Sequence, residues 1–291
     1  MSPAKESTIL LLGGTGKVAS RIAALLHASS YPTLLAHRSS APLSSLPDVP
    51  ACKFDWTDAS TYPNPFQQAQ NIQAVFLVAP PVMDMLPPMK DFIDLAVEKG
   101  VKRFVLLSAS LLPAGGPAMG MVHEYLSSLK LDYAVLRPTW FMENFSEQHH
   151  RVTIRDTNSI TSATGDGKVP FVSADDIAAV GFHALTNETL QERDLVILGP
   201  EALSYDNVAE IIGRAVGRKI THVKVSAQEL SRQMTSVGIP KDYADMLAGM
   251  DDGISKGAEE RLNNTVLEVT GKQPKRFADF VEDAKAVWKK E

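Results

Sequence analysis

The chain is 291 residues long and 44% hydrophobic, with a net charge of −5 and a pI near 5.8. It can bury a large core, and its acidic balance argues against a nucleic-acid or anionic-membrane surface. One cysteine, Cys52, excludes an intramolecular disulfide, and neither a signal segment nor a bilayer span is long enough to read, so a cytoplasmic protein without a membrane is expected.

The first element is an apolar strand, Ile9-Leu10-Leu11-Leu12, that runs into Gly13-Gly14-Thr15-Gly16-Lys17-Val18 and then a helix reaching residue 28. Gly14, Gly16 and Ala19 fit G-x-G-x-x-G/A, in which small residues let backbone N–H groups approach a pyrophosphate. The helix N-terminus adds partial positive charge where phosphates would sit. Glycines also end strands for steric reasons alone. Here the strand before the turn and the helix after it favour nucleotide binding, with Gly13, Thr15, Gly16, Lys17 and Val18 as the cofactor-facing residues.

A second strand at 33–37 ends in Arg38-Ser39-Ser40, with Arg38 twenty-two residues past Gly16. An NAD site places an Asp or Glu near this position for the ribose hydroxyls. A guanidinium beside hydroxyls suits the extra 2′-phosphate of NADP instead, because arginine grips phosphate with a two-pronged fork. Arg38 and Ser39 are therefore read as NADP-specific contacts, the alternative being a solvated loop arginine.

Further strands are predicted at 51–55, 74–78, 103–107 and 133–136, with helices at 89–98 and 121–129 between them. This alternation implies an α/β fold: a Rossmann-like, doubly wound parallel sheet covered on both faces. Ligands of such sheets bind beyond the carboxyl ends of the strands. That rule adds Asp55, Trp56, Ala79, Pro80, Pro81, Ser108, Pro138 and Thr139 to the cofactor set, and Met83 and Ser110 to the substrate set. Past 150 the rhythm changes. A helix begun by Asp175-Asp176 and running over 177–185 is expected to return to the sheet. After an apolar run at 195–198, helices at 205–216, 227–237, 242–250 and 277–288 dominate. The division expected is a dinucleotide-binding domain at 1–150 and a smaller, mostly helical lobe at 151–291.

Several motifs fail on inspection. His123-Glu124 begins like the zinc motif H-E-x-x-H, but Ser127 stands where the second ligand belongs, so no metal is expected. His149-His150 has no partners at ligand spacing and reads as a solvated helix surface. No serine lies in a G-x-S-x-G elbow. None of the six tyrosines has lysine four residues later, and Tyr125 comes nearest, with Lys130 one position too far. A reductase without a Tyr-x-x-x-Lys pair lacks the acid that ketone reduction ordinarily uses, whereas a cationic iminium needs only hydride.

The segments Leu11-Leu12-Gly13-Gly14-Thr15-Gly16-Lys17, Phe104-Val105-Leu106-Leu107-Ser108-Ala109-Ser110 and Leu136-Arg137-Pro138-Thr139-Trp140-Phe141-Met142-Glu143-Asn144 carry a resemblance. Met121-Val122-His123-Glu124-Tyr125-Leu126, Thr164-Gly165-Asp166-Gly167-Lys168-Val169-Pro170-Phe171 and Tyr205-Asp206-Asn207-Val208-Ala209 extend it. Over nearly its whole length the chain resembles the NmrA-like, atypical short-chain dehydrogenases. More narrowly, it resembles the fungal ergot-alkaloid reductases of the festuclavine/agroclavine dehydrogenase type. The resemblance implies NADPH-dependent reduction of an imine or iminium, with a small-molecule indole alkaloid as substrate. It aligns the active-site lysine of other members near Gly120 and their tyrosine near Gly116, so that chemistry is not carried over.

Within this reading His123, one turn past Gly120, is a candidate proton shuttle or substrate contact; the alternative is a packed histidine. Trp140 and Phe141 offer aromatic faces for a planar, cationic substrate, or pack an interior. Glu143 is a candidate acid or counter-ion, or a helix cap, and Asn144 a substrate contact. Met83, Met85 and Met89 offer soft lining or fill core. Two further functions share the scaffold: a Pictet–Spengler-type cyclase, and a non-catalytic NADP redox sensor.

Overall fold

Strand β1 (Thr8–Leu12) buries its last four side chains, as a strand covered on both faces must. The chain turns at Gly13 into helix α1 (Lys17–Ala28), whose buried face is Val18, Ala19, Ile22, Ala23 and Leu26. That spacing of three and four is the amphipathic period of a helix laid on a sheet. Strand β2 (Thr33–His37) is buried throughout and runs parallel to β1. The alternation continues through β3 (Ala51–Lys53), α2 (Asn64–Gln68), β4 (Ile72–Val78), α3 (Leu86–Glu98), β5 (Arg103–Leu107), α4 (Met119–Ser128) and β6 (Asp132–Pro138). The computed structural model describes residues 7–189 and 193–290.

Beyond β6 come α5 (His149–Thr157), β7 (Ser159–Ser162), β8 (Lys168–Val169), α6 (Ala174–Thr186) and β9 (Asp194–Ile197). The main sheet has the order β3-β2-β1-β4-β5-β6-β9, and its pairs from β3 to β6 are all parallel. With its strand order reversing beside β1, this is the doubly wound, Rossmann-like arrangement. The remaining elements are β10 (Leu203–Ser204), α7 (Tyr205–Val216), β11 (Thr221–Lys224), α8 (Ala227–Ser236), α9 (Lys241–Ser255), α10 (Thr265–Thr270) and α11 (Phe277–Ala284). Strand β10 pairs antiparallel with β8, and β11 pairs parallel with β7.

The chain forms two compact units, the first reaching Arg137 and including Ile177–Val196, the second holding Pro138–Asp176 and the chain from Ile197 onward. The crossing falls at Arg137 rather than at 150. The reason lies in the second unit's core, where Met142 and Phe145 pack with Ile154, Phe171, Phe277 and Trp288. Strand β3 stops two residues short of the predicted 55, because the Asp55 N–H turns to donate to Thr61 Oγ1 at 2.9 Å. The helix expected over 277–288 is α-helical to Ala284 and ends in a tighter turn, Lys285–Trp288.

His150 corrects the sequence reading outright. It is buried, and its ring stacks on Phe145 with centroids 5.2 Å apart and planes 16° apart. One face of α5 thus holds His150 and Ile154 inward while Val152 is exposed. Met85 and Met89 are also core residues. Among the described residues no helix is long and apolar enough to cross a membrane, and no group of three His, Cys, Asp or Glu is placed to hold a metal.

Candidate functional site

In the first unit, the predicted residues gather where β1, β2, β4 and β5 end. Gly13 has φ +62°, a left-handed conformation that lets the chain turn directly out of β1. Gly14 lies against β2: a Cβ there would stand 2.9 Å from Leu35 Cβ and 3.3 Å from His37 Cδ2. Its N–H donates to the Ala36 carbonyl at 3.2 Å, so Gly14 serves the sheet. Gly16 is exposed and caps α1, and a Cβ there would press to 3.0 Å from the Gly13 carbonyl oxygen. No side chain caps α1 and its first turn holds no acid. The Gly16 N–H is spent on the Gly13 carbonyl at 2.7 Å; the opening N–H groups of a helix have no partner within it, so exposed Thr15 and the start of α1 present donors and positive potential to an anion.

At the end of β2 the chain passes from buried to exposed residues. Arg38, Ser39 and Ser40 are exposed, and Arg38 makes no ion pair or hydrogen bond among the described residues. His37 turns inward and is buried; its Nδ1 lies 3.1 Å from Ser39 Oγ, and its Nε2 is buried without a partner among the described residues. Burial pushes the His37 pKa down, opposed by the Ala41 backbone, which keeps the ring neutral near pH 7. An acid fails to appear where NAD would want one: Asp55 is held elsewhere, its Oδ1 accepting from the Thr57 N–H at 2.9 Å and the Thr57 hydroxyl at 2.8 Å. Those bonds, the backbone one foremost, hold its carboxyl below the usual range, with Arg38 a smaller contributor.

Trp56 is tied into the scaffold. Its Nε1 donates to the Val78 carbonyl at 2.9 Å, and its ring packs edge-on to Phe54, Tyr62 and Phe92. This joins the ends of β3 and β4, where Ala79 and Met83 are half-buried, Pro80 buried and Pro81 exposed. After β5, the Ser108 N–H donates to the Leu136 carbonyl at 2.7 Å, while its buried Oγ has no partner among the described residues. Arg137 fixes the next turn: Nη2 donates to the Ser110 carbonyl at 2.7 Å, and Nη1 pairs with Asp194 at 2.7 Å.

The family's acid–base positions are closed. A Cβ on Gly120 would meet the Pro113 carbonyl oxygen at 2.5 Å, and one on Gly116 would meet the same oxygen at 2.9 Å. The Gly115 N–H donates back to the Gly120 carbonyl at 2.9 Å, fastening this loop onto α4. His123 is buried with its ring edge toward Tyr133, centroids 6.2 Å apart, and its Nδ1 has no partner among the described residues. Burial pushes its pKa down, with Asp194 opposing and Arg137 adding to the depression. Tyr125 turns the other way: its hydroxyl donates to Asp94 of α3, and Lys90 stands 5.0 Å from its ring centroid. Burial, with Asp94 second, pushes the phenol's pKa up, opposite to what an acid catalyst needs.

In the second unit, Pro138 and Thr139 are buried; the Thr139 N–H donates to the Ile197 carbonyl at 3.1 Å and its Oγ1 has no partner among the described residues. Trp140 packs against the core cluster, whereas half-buried Phe141 is no part of that cluster and bridges to Val172. Of the two rings, Phe141 is the better placed for a ligand. Buried Glu143 accepts from the Ala174 N–H at 2.8 Å and so caps α6. Half-buried Asn144 closes the turn through its N–H to the Phe141 carbonyl at 3.1 Å. His37 and the clamp made by Arg137 were missed as site features; the inward phase of a strand residue next to Arg38 was the signal for the first.

A profile described as the NmrA-like family matches residues 5–280. Festuclavine synthase II of Penicillium roqueforti (strain FM164) is 49% identical over 288 residues, covering 97% of this chain and 99% of its own. Agroclavine dehydrogenase of Claviceps fusiformis is 47% identical over 288 residues, covering 97% and 98%. Among solved structures, the Citrobacter sp. triphenylmethane reductase complexed with NADP(H) superposes with a TM-score of 0.77 at 21% identity, covering 95% of this chain and 99% of that one.

Proposed function

Because the chain belongs to the NmrA-like family, we propose that it is an NADPH-dependent oxidoreductase that reduces an imine or iminium in indole (ergot-type) alkaloid biosynthesis. The likeness to festuclavine synthase and agroclavine dehydrogenase supports the substrate class. The glycine turn fits the dinucleotide: Gly13, Thr15, Gly16, Lys17 and Val18 hold the pyrophosphate, and exposed Arg38 with Ser39 takes the 2′-phosphate. NADPH, when bound, supplies the hydride. Arg137 keeps the turn at Ala109 and Ser110 in place, and the unpartnered hydroxyl of Ser108 is a donor available to a ligand. The buried, unpaired Cys52 suits a reducing cytoplasm.

The observation that carries the reading is the closed acid–base position. Pro113 fills the face of Gly120, and Tyr125 spends its hydroxyl on Asp94, so a proton donor of the usual tyrosine–lysine kind has no place on α4. A substrate carbon already made electrophilic by a positive nitrogen needs no such donor. Hydride addition to it forms one C–H bond and leaves a neutral amine. Phe141 supplies the face for the cation, with half-buried Asn144 of the same unit as a further substrate contact. The test offers an indole-derived iminium with 4-deuterated NADPH and follows the label by mass spectrometry. Deuterium at the former iminium carbon is expected. An unlabelled cyclised product would instead make the protein a Pictet–Spengler-type cyclase, and no turnover across iminium and ketone panels would leave a redox sensor.

A further inference from the structure

His37 stands between the glycine turn and the segment that reads the cofactor's phosphate. Its Cδ2 would lie 3.3 Å from a Cβ on Gly14, and its Nδ1 faces Ser39 Oγ at 3.1 Å. Its Nε2 is sealed from solvent and has no partner among the described residues, in a residue only 6% exposed. A neutral imidazole carries one proton, on either nitrogen. Placed on Nε2, that proton would be a buried donor with no acceptor, the rarest and costliest kind of orphan. Placed on Nδ1, it has the Ser39 oxygen at 3.1 Å to accept it, with the Ala41 backbone as a second acceptor for the ring, and an Nδ1 that carries its proton cannot accept from the Ser39 hydroxyl.

That choice settles the direction of the Ser39 hydroxyl. A serine hydroxyl has a single hydrogen. If Ser39 Oγ accepts from His37, its own hydrogen is left free for solvent or a ligand, Ser39 being exposed as Arg38 is. If His37 instead offered a lone pair at Nδ1, the hydroxyl hydrogen would be drawn inward and the oxygen would turn its lone pairs toward an arriving anion. From this we infer that His37 is a positioning residue that acts through Ser39, orienting that hydroxyl as a donor to the 2′-phosphate and so setting the preference for NADPH over NADH. The inference rests on the reading that Arg38 and Ser39 hold the 2′-phosphate. The imidazole touches no phosphate itself: it fixes which end of a neighbour's dipole the phosphate meets.

The experiment measures dissociation constants for NADPH and NADH by fluorescence titration on the full chain, each protein checked by thermal melting. The set is wild type, His37→Phe, His37→Asn, Ser39→Ala, Arg38→Ala, and the double variant that joins His37→Phe to Ser39→Ala. His37→Phe keeps a planar ring against Gly14 but offers no proton. It is expected to weaken NADPH about ten- to a hundredfold, the scale of one charge-assisted hydrogen bond, with NADH changed less than about twofold. Ser39→Ala is expected to lose as much, and the double variant no more than either single one, the sign of two residues acting through one contact. His37→Asn, whose amide can donate from near the Nδ1 position, is expected to keep most of the selectivity. Equal losses for both cofactors in His37→Phe, full additivity with Ser39→Ala, or a loss in His37→Asn as large as in His37→Phe would each overturn the role of His37. If Arg38→Ala and Ser39→Ala both leave the NADPH-to-NADH ratio unchanged, the 2′-phosphate reading falls and the inference with it. If they lower it while His37→Phe does not, only the inference falls.

Discussion

The carboxyl ends of β1, β2 and β5 and the β7–β11 pair use the same residue types to opposite ends. In the first region, buried atoms of His37 and Ser108 have no partner among the described residues, and exposed Arg38 makes no ion pair or hydrogen bond among them. In the second, Ser162 Oγ lies 2.7 Å from Thr164 Oγ1 and 2.8 Å from His222 Nε2, and Asp206 Oδ1 stands 3.3 Å from His222 Nδ1. Serine, histidine and aspartate in that order are the residues of a hydrolytic triad, yet Ser162 and His222 are buried, and together they clasp β7 to β11. A buried polar group without a partner costs roughly 1–3 kcal/mol. The first region holds such groups at strand ends; in the second, Ser162, Thr164 and His222 Nε2 bond one another, and His222 Nδ1, buried, is left only the Asp206 carboxylate at 3.3 Å. The same residue types stand at the strand ends of the main sheet and, elsewhere, clasp the separate β7–β11 pair.

The contrast breaks most visibly at the glycine turn. Gly16→Val places a branched side chain where a Cβ would already stand 3.0 Å from a carbonyl oxygen, and where the proposed site brings the phosphates. It is expected to lower NADPH affinity by at least about a hundredfold while far-ultraviolet circular dichroism stays native; retained binding would make the loop a structural turn only.

Next in size is an exchange of effects between the regions. Arg38→Ala is expected to weaken NADPH by about 1.5–3 kcal/mol, the scale of hydrogen bonds to a charged group, and to leave the urea midpoint in place. Ser162→Ala strands His222 and Thr164, and is expected to cost about 1–3 kcal/mol of stability with NADPH affinity unchanged. A binding defect in Ser162→Ala would join the two regions after all.

A fourth variant sharpens the stability side through pH. Asp251 accepts from the Ala163 N–H at 3.0 Å, directly after β7, and burial pushes its carboxyl up to about 6 despite that bond. Its pKa in the unfolded chain is about 3.9. Because the native state holds the proton more tightly, the contribution of Asp251 is fully favourable below pH ~4, declines as pH rises to ~6, and stays unfavourable above. Asp251→Asn keeps an acceptor for Ala163 without the charge. It is expected to gain up to about 3 kcal/mol over wild type at pH 8, shrinking toward zero by pH ~4, as urea unfolding across that range would measure. A pH-independent difference would mean that Asp251 does not titrate in this window. The smallest effect belongs to Tyr125→Phe, expected to hold turnover within about twofold and to cost about 0.5–1.5 kcal/mol of stability, one hydrogen bond; a tenfold loss of turnover would restore tyrosine to the chemistry.

Much of the first region was legible in the sequence because its signals are local. A glycine turn between an apolar run and an amphipathic helix, and an arginine at the next strand's end, are read within forty residues of one another. The second region was not. Strands Ser159–Ser162 and Thr221–Lys224 are short and polar, and each is defined only by a partner about sixty residues away. His150 looked solvated because its neighbours in α5 are polar; its burial comes from Phe145, which lies outside the helix. Trp56 was read as a ligand contact from its place after a strand, and only the fold reveals that its Nε1 is taken by Val78 and its ring by an aromatic cluster. Glu143 left two readings open, and the Ala174 N–H it caps lies 31 residues downstream.

The most direct test of the central claim is an isothermal titration of the wild-type chain with NADPH and with NADH under one buffer and salt. Polar groups left open at the ends of β1 and β2 for a 2′-phosphate predict one molecule of NADPH per chain, bound at least about tenfold more tightly than NADH. Equal affinities, or tighter binding of NADH, would contradict it.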